Sequence, residues 1–454
     1  MNFVTDLHLH SRFSRAVSPR MTLPVMSEYA LQKGIDILTA SDFTHPTWYQ
    51  EIREQLEEAG EGVYKLRGES RELRNDKEVL FLLSTEISSI YKQGDKLRRI
   101  HNLIFVPNFE AVQRLNRELI KRGCNLSADG RPIVGLSSRN LLELILSIDE
   151  RSMIIPCHVW TPHFGVYGSA SGFDSLEEAY GDLAKYVYGI ETGISSDPAM
   201  NWQVRELMNR SILSFSDAHS APKMGREATV FELEAPTYEN IRSAIMRPGS
   251  QKRDERTNKL TMNKIAYTLE FYPEEGKYHF SGHRKCKFMQ GPEETRRDGN
   301  ICPVCNRRLT EGVLYRLRQL SDETLLNRVG EKITEGVRWF ADKDDLQPPF
   351  MKLVPLLEIV AKGLGTTVLS QKAQGIFSHL CLELGDEITV LLKTSLKDVA
   401  RIGGENIAQA LEKVRLGDIS IDPGYDGEYG KVKIFSEGTL QMARENKGQL
   451  KMDL

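Results

Sequence analysis

Short apolar runs, each adjoining a histidine or a carboxylate, recur through the first half of the chain. Val4-Thr5-Asp6-Leu7-His8-Leu9-His10 comes first, then Ile35-Asp36-Ile37-Leu38-Thr39-Ala40-Ser41-Asp42 leading to His45. Residues 79–83 lead to Glu86, and His101 heads His-Asn-Leu-Ile-Phe-Val. Met153-Ile154-Ile155-Pro156-Cys157 leads to His158, and Ile212-Leu213-Ser214-Phe215-Ser216 to Asp217 and His219. Apolar runs of four to eight residues read as buried strands. Amphipathic segments alternate with them: residues 23–33, with Thr22 as N-cap and Gly34 as C-cap, and residues 111–121, ended by Gly123. This alternation predicts an α/β fold with a parallel sheet, and the inward-pointing polar residues favour closure into a barrel. In such a barrel the chemistry gathers at strand ends.

The pattern changes further along. Residues 51–77 are rich in charge and predict a solvated helix and loop insertion. Pro248-Gly249-Ser250 and the polar stretch after it mark a boundary. The chain thus divides into residues 1–250, a small module over 265–315, a helical region over 316–440 and a loose polar tail over 441–454. Leu314, Leu317, Leu320, Leu325 and Leu326 supply an apolar face for the helical region, and Val432-Lys433-Ile434-Phe435 reads as a strand near its end.

At 454 residues the chain is long enough for two or three domains. A hydrophobic fraction of 40% and a mean hydropathy of −0.38 describe a globular protein, with no apolar stretch near the roughly 18 residues that span a bilayer. The first residues run straight into a strand rather than a signal peptide, so the expectation is a cytoplasmic, nucleoid-associated protein with no membrane partner. There the six Cys stay reduced, and paired Cys indicate metal. A net charge of −3 excludes a uniformly basic nucleic-acid binder and leaves local patches to do that work.

The strand-end residues suit a multinuclear metal site. Side chains repeat every second residue on a strand, so His8 and His10 share a face, as do Asp217 and His219. Imidazoles mixed with carboxylates favour Zn, Mn or Fe. Two metals about 3.5–4 Å apart activate a bridging water and clamp the attacking and leaving oxygens of a phosphoester. Arg12 or Arg15 could neutralise the charge that develops.

A second constellation is Cys302-Pro-Val-Cys305 with His283-Arg-Lys-Cys286 upstream, a Cys3His set of structural-zinc type. His279 rivals His283 as the fourth ligand, and His283 is preferred. Residues 279–318 carry nine Lys or Arg against four Asp or Glu. Arg284, Lys285, Arg307 and Arg308 therefore read as a grip on a phosphate backbone. Residues 396–411, with Gly403-Gly404 between two helical stretches, are similar to a helix-hairpin-helix whose exposed amides accept a DNA phosphate. The last six residues, including Gln449, Leu450, Met452 and Leu454, resemble the short peptide that docks into bacterial sliding clamps.

The series Asp-Leu-His-Leu-His, Ser-Asp-Phe-Thr-His, Ser-Thr-Glu-Ile-Ser, Ile-His-Asn-Leu, Cys-His-Val-Trp and Ser-Asp-Ala-His resembles the motifs of the polymerase and histidinol phosphatase (PHP) superfamily. That resemblance implies a distorted barrel that binds up to three metals and hydrolyses phosphoesters. By it, one metal takes His8, His10, Glu86 and Asp217, a second shares Glu86 and adds His101 and His158, and a third uses His45 and His219. The chain departs from the pattern at Ser11-Arg-Phe-Ser-Arg-Ala16, where members often supply another His, and this puts the third metal in doubt. Asp6, Asp42 and Glu191 read as carboxylates behind the ligand histidines or as alternative ligands.

With the zinc module and helical region added, the chain resembles the endonuclease Q family to about residue 440. Further resemblances lie in Ser11-Arg-Phe-Ser-Arg-Ala16, Glu294-Thr-Arg-Arg297 and Pro423-Gly-Tyr-Asp-Gly-Glu-Tyr-Gly430. The resemblance implies nicking of double- or single-stranded DNA on the 5′ side of deaminated bases (uracil, hypoxanthine, xanthine) and abasic sites. Zn is expected in the module and in the active site, with Mg or Mn as alternative catalytic metals. A deaminated base must leave the stack to be read. Trp160, Phe164, Tyr167, Tyr425 and Tyr429 are candidates to wall its pocket. Two other readings remain: a small-molecule phosphatase, such as a histidinol-phosphate enzyme, and a non-catalytic DNA-binding scaffold.

Overall fold

The computed structural model describes residues 1–68, 77–246 and 263–435. The expected boundary at Pro248-Gly249-Ser250 and the clamp-like residues Gln449, Leu450, Met452 and Leu454 lie outside the described residues. The first strand, Asn2–Asp6, pairs in parallel with Ile37–Ala40, which pairs in parallel with the start of Leu80–Gln93. The helix Leu23–Lys33 makes the first crossover, with Pro24 in its opening turn and Gly34 (φ 82°) closing it, as the capping pattern predicts.

The sheet is mixed, which corrects the parallel arrangement expected from the sequence. Leu80–Gln93 turns back at Gly94 (φ 60°) into Lys96–Val106, and the two run antiparallel over eleven residue pairs. A two-residue turn leaves no room for a parallel crossover. Met153–Pro156 then pairs antiparallel with Lys96–Val106, while Gly189–Glu191 and Ser211–Leu213 form a separate parallel pair. A bridge from Leu9 to Ala218 brings the end of the first strand beside the loop after Ser211–Leu213.

Three other expectations change. The charged stretch after residue 51 is not a helix and loop throughout. Its helix, Pro46–Gln55, leads into a hairpin of Leu56–Gly60 and Val63–Leu66, whose buried Leu56, Val63, Tyr64 and Leu66 anchor it. The strand Lys264–Glu270, which overlaps the start of the expected small module at 265, joins the main sheet beside Ala228–Glu232. The region after 316 opens in the helix Val313–Leu320, as expected, but does not stay helical, because Val329–Thr334, Val337–Asp342 and Phe350–Lys352 extend the sheet to thirteen strands among the described residues. Glu335-Gly336, with φ of 53° and 76°, makes the tight hairpin turn whose positive dihedrals match strand twist.

Helices follow between Leu356–Gly363 and Glu405–Leu416, packed around Leu356, Ile359, Val360, Leu380, Val399, Ile407, Leu411 and Val414. Burial of each such side chain contributes about 1.5–3 kcal/mol. A buried ion pair ties this bundle to the helix Leu23–Lys33: Lys33 Nζ lies 2.5 Å from Glu387 Oε2, and Glu387 Oε1 accepts from the Leu356 amide at 2.8 Å. No helix among the described residues is long and apolar enough to cross a membrane.

Candidate metal centre

The loops after the first strands and the Leu80–Val106 hairpin converge on one site. His8 and His10 follow Asn2–Asp6, as the strand-end pattern predicts. Glu86 and His101 do not sit at strand ends; they lie inside the hairpin strands. Glu86 opposes Leu103 and Ser88 opposes His101, so Glu86 and His101 are diagonal neighbours on one face.

Two ligand groups form around Glu86. His8, His10 and Asp217 offer ligand atoms within 4.8 Å of one another, and so do Glu86, His101 and His158. Glu86 Oε2 lies 3.9 Å from His8 Nε2 and 3.3 Å from His10 Nε2. Its Oε1 lies 2.5 Å from His101 Nδ1 and 3.3 Å from His158 Nε2. One carboxylate thus faces both groups, one oxygen to each.

The free faces of these side chains fit metal ions. His8 Nε2, His10 Nε2 and Asp217 Oδ1 are buried and lack hydrogen-bond partners, although His10 Nε2 and Asp217 Oδ1 are 3.1 Å apart. Buried polar atoms are rarely left orphaned, and three aimed at one point mark a cation position. The far ring nitrogens are held instead: His8 Nδ1 lies 2.8 Å from Glu191 Oε1, and His10 Nδ1 lies 3.2 Å from Asp42 Oδ1. Glu191 Oε2 also accepts from the His158 amide at 2.8 Å. Glu191 and Asp42 therefore stand behind the histidines, orienting each ring so that Nε2 faces the centre.

Asp6 is further back, accepting from Ser216 N, Ser216 Oγ and Gly225 N at 2.6–3.0 Å and so tying down the loop that carries Asp217. Burial pushes its carboxyl up to about 6 against those donors. Burial disfavours charge on His8 as well, but Glu191, Glu86 and Asp217 outweigh it and raise that ring well above the usual histidine range. His101 moves the other way: burial drives it down to about 4, leaving it neutral near pH 7, the form that binds metal. Asp42, His158 and Asp217 all adopt left-handed backbone (φ 59°, 31° and 46°), strain that gathers at one site.

The expected third pair is not assembled into a comparable group. His45 caps the helix Pro46–Gln55 by accepting from Trp48 N and stacks on Phe13. His219 Nδ1 lies 2.9 Å from the Asp217 carbonyl. Neither joins a cluster of three ligand groups among the described residues.

Above the ligands opens a cavity of about 460 Å³, lined by His101, His158, Asp217 and His219 and by the cations Arg131, Lys223, Arg226 and Lys277. None of those cations stands out in the sequence, because each lies in a loop or, for Lys223, a single 3-10 turn, without periodicity. Arg12 is turned away, 2.6 Å from Glu51, and Arg15 is exposed. Among the aromatic candidates, Phe164 and Tyr429 line the cavity, and Tyr278, which the sequence did not single out for the pocket, joins them. Trp160 and Tyr167 do not: they are fully buried and stacked on each other, with Trp160 Nε1 donating to Asn201 and the Tyr167 hydroxyl to Glu206. Their polar tips are already satisfied inside the core, so both are corrected to structural residues. Tyr425 is half-buried, bridging to Phe280 and away from the cavity lining.

A separate cluster brings His283, Cys286, Cys302 and Cys305 within 4.8 Å of one another. Cys305 Sγ lies 3.4 Å from His283 Nδ1, whereas the rival His279 is buried against Phe280. Arg284, Lys285, Arg307 and Arg308 are all exposed around this cluster. Gly403 ends the helix Leu396–Gly403, and Gly404 (φ 93°) is exposed at the start of Glu405–Leu416.

Comparisons with known proteins cover most of the chain. A family model described as the MJ0043 C-terminal domain matches residues 355–418, the helical bundle. The uncharacterized protein YqxK of Bacillus subtilis is 28% identical over 443 residues, spanning 94% of this chain and 98% of that one. The uncharacterized protein MJ0043 of Methanocaldococcus jannaschii is 29% identical over 293 residues, which cover 63% of this chain but only 32% of that protein. Among solved structures, the lesion-specific endonuclease PfuEndoQ of Pyrococcus furiosus superposes with a TM-score of 0.77 at 28% identity, covering 96% of each chain. An endonuclease Q complex with a 27-mer duplex substrate, carrying an abasic lesion at the active site, gives 0.78 at 28% identity, over 96% of this chain and 98% of that one.

Proposed function

The chain belongs to the endonuclease Q family, and from that premise we propose that it is a metal-dependent DNA repair endonuclease. It hydrolyses the phosphodiester on the 5′ side of deaminated bases and abasic sites. The single observation that carries this reading is Glu86, whose two oxygens face two separate ligand groups on the floor of a cation-lined cavity. The strands around that floor act as a distorted PHP-type barrel.

In this reading His8, His10 and Asp217 would hold one divalent cation, His101 and His158 would hold a second, and Glu86 would serve both. Bound Zn, Mn or Mg would supply Lewis acidity toward a water and the phosphate. The chain does the rest. Glu191 and Asp42 keep the ring nitrogens of His8 and His10 directed inward, and the neutral His101 offers a lone pair without first losing a proton. Lys223, Arg226 and Lys277 attract the backbone of the substrate, since a cleft of one sign gathers oppositely charged ligands. Phe164, Tyr278 and Tyr429 give an extruded base aromatic faces to rest on. The Cys3His cluster takes a structural Zn, and its exposed Arg284, Lys285, Arg307 and Arg308, with the Gly404 turn, grip flanking duplex.

The test is incubation of the purified protein with Mg²⁺, Mn²⁺ or Zn²⁺ and end-labelled duplexes bearing one uracil, hypoxanthine or abasic site, beside Asp217→Asn. A single nick immediately 5′ of the lesion, absent in the variant, supports the reading. Phosphate release from small monoesters without nicking would move the function to a metabolic phosphatase.

A further inference from the structure

We infer that Arg131 is a further catalytic residue, holding a non-bridging oxygen of the phosphodiester under attack. The assignment rests on the endonuclease reading above and adds a group outside the metal ligands.

Arg131 Nη1 lies 3.1 Å from Glu86 Oε2, the oxygen that faces His8 and His10. Among the described residues no other Lys or Arg pairs with a proposed metal ligand of the active site. Its side chain is 22% exposed and borders the cavity together with His101, His158, Asp217 and His219. One edge of the guanidinium therefore touches the carboxylate shared by both ligand groups, and the same side chain borders the cavity.

The loop that presents Arg131 is built onto the site. Gly130 N donates to Phe13 O at 3.0 Å, Thr44 Oγ1 to Gly130 O at 3.3 Å, and Ser88 N to Pro132 O at 3.0 Å. Arg131 N donates to Asp129 Oδ1 at 3.0 Å. A β-carbon on Gly130 would collide with Asp42 and Ser14, so the backbone packs directly against the carboxylate that orients His10. Arg131 and the ligand histidines are thus positioned by one framework, and preorganisation of that kind is what makes a donor effective in a transition state.

Charge gives the direction. Two divalent cations would bring four positive charges to a floor whose direct carboxylate ligands are Glu86 and Asp217. A guanidinium beside those cations adds to the positive field and favours a further anion in the cavity. A phosphodiester with an attacking hydroxide supplies that anion, and a planar guanidinium matches phosphate oxygens in pairs. A role confined to neutralising Glu86 would instead make Arg131 a support for metal binding.

The experiment compares Arg131→Ala, Arg131→Gln and Arg131→Lys with wild type and Asp217→Asn. Three quantities are read: single-turnover nicking of an abasic duplex, metal content by mass spectrometry, and affinity for a nicked product duplex with and without its 5′-phosphate. The expected result is an about 10²- to 10³-fold slower nick in the Ala and Gln variants, partial recovery in the Lys variant, and unchanged metal content. Wild type prefers the 5′-phosphorylated product, and the Ala variant loses that preference. Added guanidinium ion speeds the Ala variant and leaves the Lys variant as it was. Metal loss in step with the rate would overturn the proposal and leave Arg131 a support for Glu86. Wild-type rates with an intact phosphate preference would overturn it as well. A wild-type protein that nicks no lesion would bring down the endonuclease reading and this assignment with it.

Discussion

Nδ1 of His8 lies 2.8 Å from Oε1 of Glu191, although 183 residues separate them. The contact fixes the ring so that Nε2, which has no hydrogen-bond partner, faces the ligand group. Because Glu191 also accepts from the His158 amide, one buried carboxylate steadies a residue of each group. Glu191→Gln should therefore weaken metal binding by about 10- to 100-fold. Competition against a calibrated chelator measures this, and an unchanged affinity would assign Glu191 to folding alone.

Glu86 separates a shared ligand from a private one. Glu86→Gln should lower the metal stoichiometry at both positions, whereas His101→Ala should lower it at one. Metal content of the purified variants decides between them. Equal losses would mean that the two ligand groups act as one site.

The module should lose its ion independently. Cys302→Ser removes one corner of the Cys3His cluster and should release one zinc per chain while the active-site metals stay. Duplex affinity should fall and its salt dependence should flatten as the basic residues lose their fixed positions. Retention of full affinity would reduce the cluster to a clip.

Glu275 sets a pH trend in stability. It is buried with Oε1 unpartnered, and burial, reinforced by Glu358 and Glu274, pushes it up to about 9 from 4.5. The folded form then holds a proton that the unfolded chain gives up. Its contribution is present below about pH 4.5 and is lost as pH rises toward 9, by at most about 1.4 kcal/mol per pH unit. Glu275→Gln, which cannot ionise, should raise Tm over wild type at pH 9 and change it little at pH 5. Parallel Tm curves would refute the burial argument.

Gly34 joins the first crossover helix to the distant bundle. Its φ of 82° disfavours a side chain, and a β-carbon there would strike the Asp386 carboxylate. Gly34→Ala should cost about 1–3 kcal/mol, seen as a lower denaturation midpoint. No change would mean that the bundle shifts freely at this contact.

Local chemistry made much of this protein readable from its residues. The apolar runs specified strands at Asn2–Asp6, Ile37–Ala40 and Met153–Pro156, the Thr22 and Gly34 pattern bounded a helix, and the spacing of His283, Cys286, Cys302 and Cys305 marked a four-ligand cluster. These signals are short-range: side-chain alternation, backbone dihedrals and the reach of a few residues. The antiparallel return at Gly94 and the hairpin at Glu335-Gly336 rest on local chemistry too, with glycine at positive φ in each turn.

Other features needed tertiary packing for their geometry. The family resemblance implied Glu86 as a shared ligand, but which oxygen faces which group follows from a hairpin that sets it diagonally to His101 and a crossover that brings His8 and His10 against its second oxygen. Arg131, Lys223, Arg226 and Lys277 meet at one cavity from loops with no common pattern, and Trp160 and Tyr167 turn inward because Asn201 and Glu206 wait there as partners. Residue type and spacing determine which side chains are able to bind a metal. Only the folded chain decides which oxygen faces which nitrogen, because that depends on contacts between segments whose separation in sequence carries no information about their distance in space.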